Sequence, residues 1–141
     1  MKINSKSVFL LGGMIAALVV VSCASSKKQM TSAEMMNLQP SGQMVDGVRV
    51  VKVTAQRYKF TPNPIVVKSG EKVRVELTSL DTTHGFKLSA YDINVKIEPG
   101  KTSTATFTAG NPGEYSIACS VYCGIGHFGM KATLVVLPSG S

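Results

Sequence analysis

Two thiols, an imidazole and a thioether stand within twelve residues near the C-terminus, in the run C-S-V-Y-C-G-I-G-H-F-G-M from Cys119 through Cys123 and His127 to Met130. Soft sulfur donors beside an imidazole suit copper or zinc. The glycines among them give the backbone freedom to wrap tightly around a centre. The only other histidine is His84, in the run L-D-T-T-H-G-F-K-L, so a single site uses both histidines and both cysteines found after Cys23. A mononuclear blue-copper centre takes two histidines, one cysteine and a weak axial methionine. Against that requirement the second cysteine, four residues after the first, is one thiolate too many. Two thiolates are able instead to bridge two copper ions, each ion taking one histidine. The same Cys2His2 set also suits zinc or a single copper ion, and an oxidising compartment permits a Cys119–Cys123 disulfide. With no third histidine in the chain, no separate nucleophile with a histidine base presents itself.

These residues need strand ends to hold them. From Gly47 onward the apolar residues recur with period two: Val48 and Val50, then Val73, Val75 and Leu77 alternating with Lys72, Arg74, Glu76 and Thr78. That alternation marks half-buried strands. Further β-rich runs cover Ile65 to Val67, Asn94 to Ile97, Thr102 to Thr108, Tyr115 to Ala118 and Ala132 to Leu137, and the clusters T-P-N-P, K-S-G-E, E-P-G-K and N-P-G-E reverse the chain between them. Seven or eight short strands without a long helix predict an all-β sandwich or barrel. A chain of 141 residues, 44% of them hydrophobic and 16% charged, has the material for one such core plus short appendages.

The N-terminus predicts export. Lys2 and Lys6 precede 14 apolar or small residues from Val8 to Val21, the layout of a secretory signal and shorter than the roughly 20 residues that cross a bilayer as a helix. The segment closes V-V-S-C at Cys23, which resembles the lipobox of bacterial lipoproteins. That resemblance implies a signal peptide over residues 1–22, lipidation of Cys23 and a membrane-anchored protein facing the periplasm or cell exterior. Losing residues 1–22 removes Lys2 and Lys6 and no acid, taking the formal charge from +7 to +5. This modest excess, with no basic run interleaved with aromatics, does not point to nucleic acid. Residues 23–46 are polar and small and read as a flexible tether, in which Thr31 and Glu34 predict a capped helical turn through Leu38. Met30, Met35, Met36 and Met44 in that stretch are flexible apolar filler or, in the alternative of a periplasmic copper chaperone or store, thioethers that gather copper(I).

The run T-H-G-F with C-x3-C-x3-H-x2-M downstream, together with T-A-Q-R-Y-K-F-T-P-N-P-I-V-V, Asp81 and P-G-E-Y, resembles the CuA domain of cytochrome c oxidase subunit II and of nitrous oxide reductase. The resemblance covers nearly all of Gly47 to Leu137 and implies a cupredoxin-like Greek-key β-sandwich over residues 47–141. It further implies two copper ions bridged by Cys119 and Cys123, with His84 and His127 as terminal ligands, Met130 as a weak axial ligand and the backbone carbonyl of Val121 on the other copper. The implied activity is one-electron transfer rather than catalysis by the chain itself, within or toward a respiratory oxidase or reductase. A c-type cytochrome and a terminal oxidase or reductase are the implied partners. The family's tryptophan-rich stretch has no counterpart, since the chain contains no Trp; Tyr58 and Phe60 occupy that region. Asp81 is a candidate to hold the second ring nitrogen of His84.

Overall fold

The computed structural model describes residues 30–140. The signal segment and Cys23 lie outside the described residues. A helical turn α1 (Ser32–Met36) is followed by ten strands: β1 (Gln43–Val45), β2 (Val48–Gln56), β3 (Lys59–Thr61), β4 (Ile65–Lys68), β5 (Lys72–Ser79), β6 (His84–Leu88), β7 (Ile93–Ile97), β8 (Thr102–Thr108), β9 (Gly113–Ala118) and β10 (Lys131–Leu137). They form two sheets, one in the order β1-β2-β5-β8 with β3 also on β2, the other β4-β10-β9-β6-β7. The pairs β2–β5 and β4–β10 are parallel and the remaining pairs antiparallel. This is the expected all-β sandwich.

Alternation builds the core. On β5, Val73, Val75 and Leu77 are buried while Lys72, Arg74, Glu76 and Thr78 stay at least partly in solvent. They meet Val51, Val53 and Ala55 of β2 and, from the opposite sheet, Phe86, Ile117 and Leu134. Phe60 and Phe86 close the space edge to face, with ring centroids 5.7 Å apart.

The stretch from Met30 to Val45, expected as a tether, lies against the sandwich instead. The Thr31–Glu34 capping box forms as the sequence predicts, and Met30, Met35 and Leu38 pack on Val66, Val135 and Leu137. The cause is the parallel pair β4–β10, whose unbroken runs I-V-V and L-V-V-L are apolar on both faces. The face turned from the core needs cover, and the methionines of this stretch supply part of it. Arg49 fastens the same region. Its guanidinium grips Glu71 with two bonds, at 2.5 and 2.6 Å, and donates to the Ser41 carbonyl at 3.1 Å. Among the described residues no helix is long and apolar enough to cross a membrane.

Candidate metal centre

The donors gather at one end of the sandwich, where β6 begins and the β9–β10 connection turns. His84 is the first residue of β6, with 0% of its surface exposed. Cys119 follows β9, and Met130 immediately precedes β10. The neck of the connection is fixed by a bond from Cys119 N–H to the Met130 carbonyl at 3.0 Å, and bonds from His127 N–H to Gly124 O and from Met130 N–H to His127 O coil its far half into a 3-10 turn. Cys119, Cys123 and Met130 are buried; His127 and Val121 are half-buried.

The two sulfurs Cys119 Sγ and Cys123 Sγ are 3.8 Å apart, and both thiols are free. That separation is far beyond the roughly 2.05 Å of a disulfide. Each sulfur faces its own imidazole: Cys119 Sγ to His84 Nδ1 at 3.9 Å, Cys123 Sγ to His127 Nδ1 at 3.7 Å. Each also has one weaker donor beside it. The Cys119 thiol points to the Val121 carbonyl at 3.1 Å, and Cys123 Sγ lies 3.7 Å from Met130 Sδ. All six positions singled out in the sequence, His84, Cys119, Val121, Cys123, His127 and Met130, are therefore brought into one cluster with a twofold division. Among the described residues, the ligand atoms of His84, Cys119 and Cys123 lie within 4.8 Å of one another.

The surroundings prepare these atoms. Asp81 Oδ1 holds His84 Nε2 at 2.7 Å, which directs the Nδ1 lone pair toward the sulfur when Nε2 carries the proton. Desolvation opposes ionisation of Asp81. Hydrogen bonds from the Arg57 N–H, from His84 and from the Thr82 N–H outweigh it and bring the carboxyl down to about 2. The Asp81 role expected from the sequence thus has the required geometry. Burial pushes the Cys123 thiol above its ordinary range, the adjacent Cys119 adds to the shift, and Arg57 opposes it. A metal ion that takes the thiolate must displace that proton.

Two residues around the donors carry no signal of this role in the sequence. Gly85 approaches the cluster with its backbone, its N–H 3.5 Å from Cys119 Sγ. Arg57 donates Nε to the Cys123 carbonyl at 2.8 Å. Both sit inside runs that carried the family resemblance, but nothing local in R-Y-K-F marks a contact 66 positions away. Tyr122, Ile125 and Phe128 are exposed on the outer side of the loop, with the rings of Tyr122 and Phe128 flanking His127 at centroid distances of 5.7 and 5.2 Å.

A strand sandwich with a buried soft-donor cluster at the mouth of its last two strands is the arrangement of a copper-binding cupredoxin. The sequence pattern of the family described as Cupredoxin-like domain matches residues 13–136, and the chain belongs to that family. Within it, the chain is 44% identical over 86 residues to cytochrome c oxidase subunit 2 of Thermus thermophilus, an overlap of 61% of this chain and 64% of that one. Against the subunit 2 of a second Thermus thermophilus strain the identity is the same and 51% of the relative is covered. The chain therefore spans between half and two thirds of the length of these relatives. Nitrous-oxide reductase of Ralstonia nicotianae is 34% identical over 101 residues, 68% of this chain and 16% of the enzyme. A heme-copper terminal oxidase dimer contains a chain that superposes with a TM-score of 0.61 at 25% identity, over 77% of each chain. The periplasmic domain of subunit II of cytochrome oxidase from Bradyrhizobium japonicum gives 0.61 at 22% identity, over 69% of this chain and 88% of that one, a likeness of fold. These matches bear out the resemblance to the subunit II CuA domain and the cupredoxin-like sandwich, and with the donor set they make copper the metal that fits.

Proposed function

We propose that the chain carries electrons one at a time through a dinuclear copper centre held by His84, Cys119, Cys123, His127 and Met130 with the Val121 carbonyl. One observation carries the reading: two unbonded sulfurs 3.8 Å apart, each with a separate imidazole nitrogen within 3.9 Å. A structural zinc site needs four donors converging on one point. Six donors divided into two sets of three, sharing two thiolates, suit two ions. A bound pair of copper ions supplies reversible one-electron chemistry. The protein's own contribution is to fix the donors and keep water out: His84 and Met130 are fully buried, and Asp81 and Gly85 hold His84 and Cys119 from behind. A site so enclosed leaves no position open for a substrate, which favours transfer over catalysis.

The partners that suit this role are redox proteins, a c-type cytochrome as donor and a terminal oxidase or reductase as acceptor, with the chain acting as a subunit II-like component. The exposed Tyr122, Ile125 and Phe128 beside His127 offer an apolar face for such an encounter. The signal-like N-terminus favours an exported protein, and lipidation of Cys23 would tether it to the membrane.

Anaerobic copper loading tests the reading. Two coppers per chain, a purple colour and a seven-line hyperfine pattern in electron paramagnetic resonance are expected; Cys123→Ser should abolish the seven-line signal. A colourless protein with one tightly held metal ion would overturn it. Copper that passes readily to a chelator or to a copper-free oxidase would favour delivery over electron transfer.

A further inference from the structure

The turn between β2 and β3 touches both halves of the donor cluster. The Arg57 backbone N–H donates to Asp81 Oδ2 at 2.9 Å, and the other oxygen of that carboxylate holds His84 Nε2 at 2.7 Å. From the same residue, the guanidinium Nε reaches the Cys123 carbonyl at 2.8 Å. Tyr58, next in sequence, lies across the loop's glycines. A Cβ on Gly126 would stand 2.4 Å from Tyr58 Cδ2, and one on Gly124 2.5 Å from the Tyr58 hydroxyl, so those two positions are bare because the ring occupies the space.

The Arg57 contact is the outside anchor of this loop. Among the described residues, the hydrogen bonds made between Val121 and Gly129 stay within the 119–130 segment, with that one exception. The loop neck is held separately, by Gly85 and by the bond between Ser120 and Asn94. A guanidinium is permanently cationic, and here it sits one carbonyl away from a donor sulfur. A fixed positive charge at that distance favours whichever redox state carries the additional electron.

We propose that Arg57 is a positioning residue of the metal centre: it pins the Cys123 carbonyl, ties that placement to His84 through Asp81, and holds the reduction potential up by its charge. The assignment rests on the dinuclear copper reading above. It extends it to a residue that donates no atom to the metal.

Arg57→Met and Arg57→Lys in the full chain test it. The side chain is exposed apart from this contact, so both variants are expected to fold. Copper affinity is measured by competition with a copper(I) chelator, the potential by redox titration, and the copper-free unfolding temperature by circular dichroism. Arg57→Met should bind copper about 10- to 100-fold more weakly, the usual range for residues that orient metal ligands, and at a lower potential, with copper-free stability nearly unchanged. Arg57→Lys keeps the charge without the planar fork; it should retain most of the potential and recover part of the affinity. An Arg57→Met protein with the affinity and potential of the unsubstituted chain would overturn the assignment alone. So would losses that merely track a fall in copper-free stability, which is what a structural role predicts. An unsubstituted chain that takes up no copper pair would overturn the underlying reading and the assignment together, and metal stoichiometry on that protein tells the cases apart.

Discussion

Replacing Gly85 by alanine tests whether β6 and the thiolate loop are held at a fixed backbone distance. Gly85 follows His84; its carbonyl accepts from Ser120 N–H at 3.4 Å and its N–H faces Cys119 Sγ at 3.5 Å. A Cβ at this position would lie 2.1 Å from Ser120 Oγ, 2.8 Å from Val121 N and 3.0 Å from Ser120 N. The hydroxyl can turn away only by giving up its bond to Asn94, and the two backbone nitrogens cannot turn at all. Ordinary contact begins near 3.4 Å, so the loop neck must retreat from β6 by the difference between 3.4 and 2.8 Å, about 0.6 Å. Overpacking on this scale typically costs about 1–3 kcal/mol. For a domain of this size that is a fall of about 10 °C in unfolding temperature, at about 4–8 °C per kcal/mol. Circular dichroism melts of the copper-free protein measure it, and the same shift should weaken copper uptake by pulling Cys119 from His84. Adding Ser120→Ala relieves the 2.1 Å clash only, so the double variant should recover less than half of the loss. A Gly85→Ala protein that melts within about 2 °C of the unsubstituted chain and loads copper equally well would refute the packing argument.

Val121→Ala should leave copper uptake and its spectrum unchanged, because the group facing Cys119 is the backbone carbonyl; a lost or altered signal would mean that the side chain matters. Met130→Leu conserves volume at a fully buried position and should cost less than about 1.5 kcal/mol in a thermal melt, while the copper spectrum and potential move because the thioether is gone. An unmoved spectrum would remove Met130 from the ligand set. Glu71→Gln addresses acid stability. The hydrogen bond from Arg49 holds the Glu71 carboxyl below its ordinary 4.5; burial opposes this, and the Lys68 N–H and both cations assist. A depressed folded value gives stability that is present above about pH 4.5 and lost as the pH falls through the folded value. The variant should therefore be less stable at pH 7 by about 2 kcal/mol, with the difference shrinking in chemical unfolding curves as the pH is lowered below about 4.5.

Most of the sandwich is visible in its alternation. Strands β5 and β8 each carry one inward and one outward face, and β4, β7, β9 and β10 fall where β-rich runs stand between Pro/Gly clusters, whereas β2 opens against its pattern, burying Arg49 and leaving Val48 and Val50 half-buried. Strand β6 is not visible in this way, since H-G-F-K-L is buried at four of five positions and shows no alternation. The stretch before β2 departs from its expected tether for a related reason. Its mostly polar composition, with a few methionines, does not say whether a surface waits to receive it, and that information sits about a hundred residues away, in a β10 strand too apolar to face water on either side.

The site divides along the same line. Four of its side chains and the carbonyl fall within twelve consecutive residues, so their chemistry can be read from composition and spacing alone. That His84 belongs with them follows only because no other histidine is left. What brings it there is the sheet: β6 pairs antiparallel with β9 through Lys87 and Ala118, a register that carries the first residues of β6 past the end of β9, where the Gly85 carbonyl accepts from Ser120 N–H. Of the groups that hold the ligands in place, Asp81 is readable because a carboxylate beside a ligand histidine suits its second ring nitrogen. Arg57 is not, because its guanidinium bonds to a backbone carbonyl and its own backbone N–H to a carboxylate, contacts that require no matching residue type. The donors and Asp81 are therefore legible as chemistry, while the contacts from Arg57 and Gly85 are legible only as geometry, and the variants that discriminate best are those at Arg57 and Gly85, where no donor atom is touched.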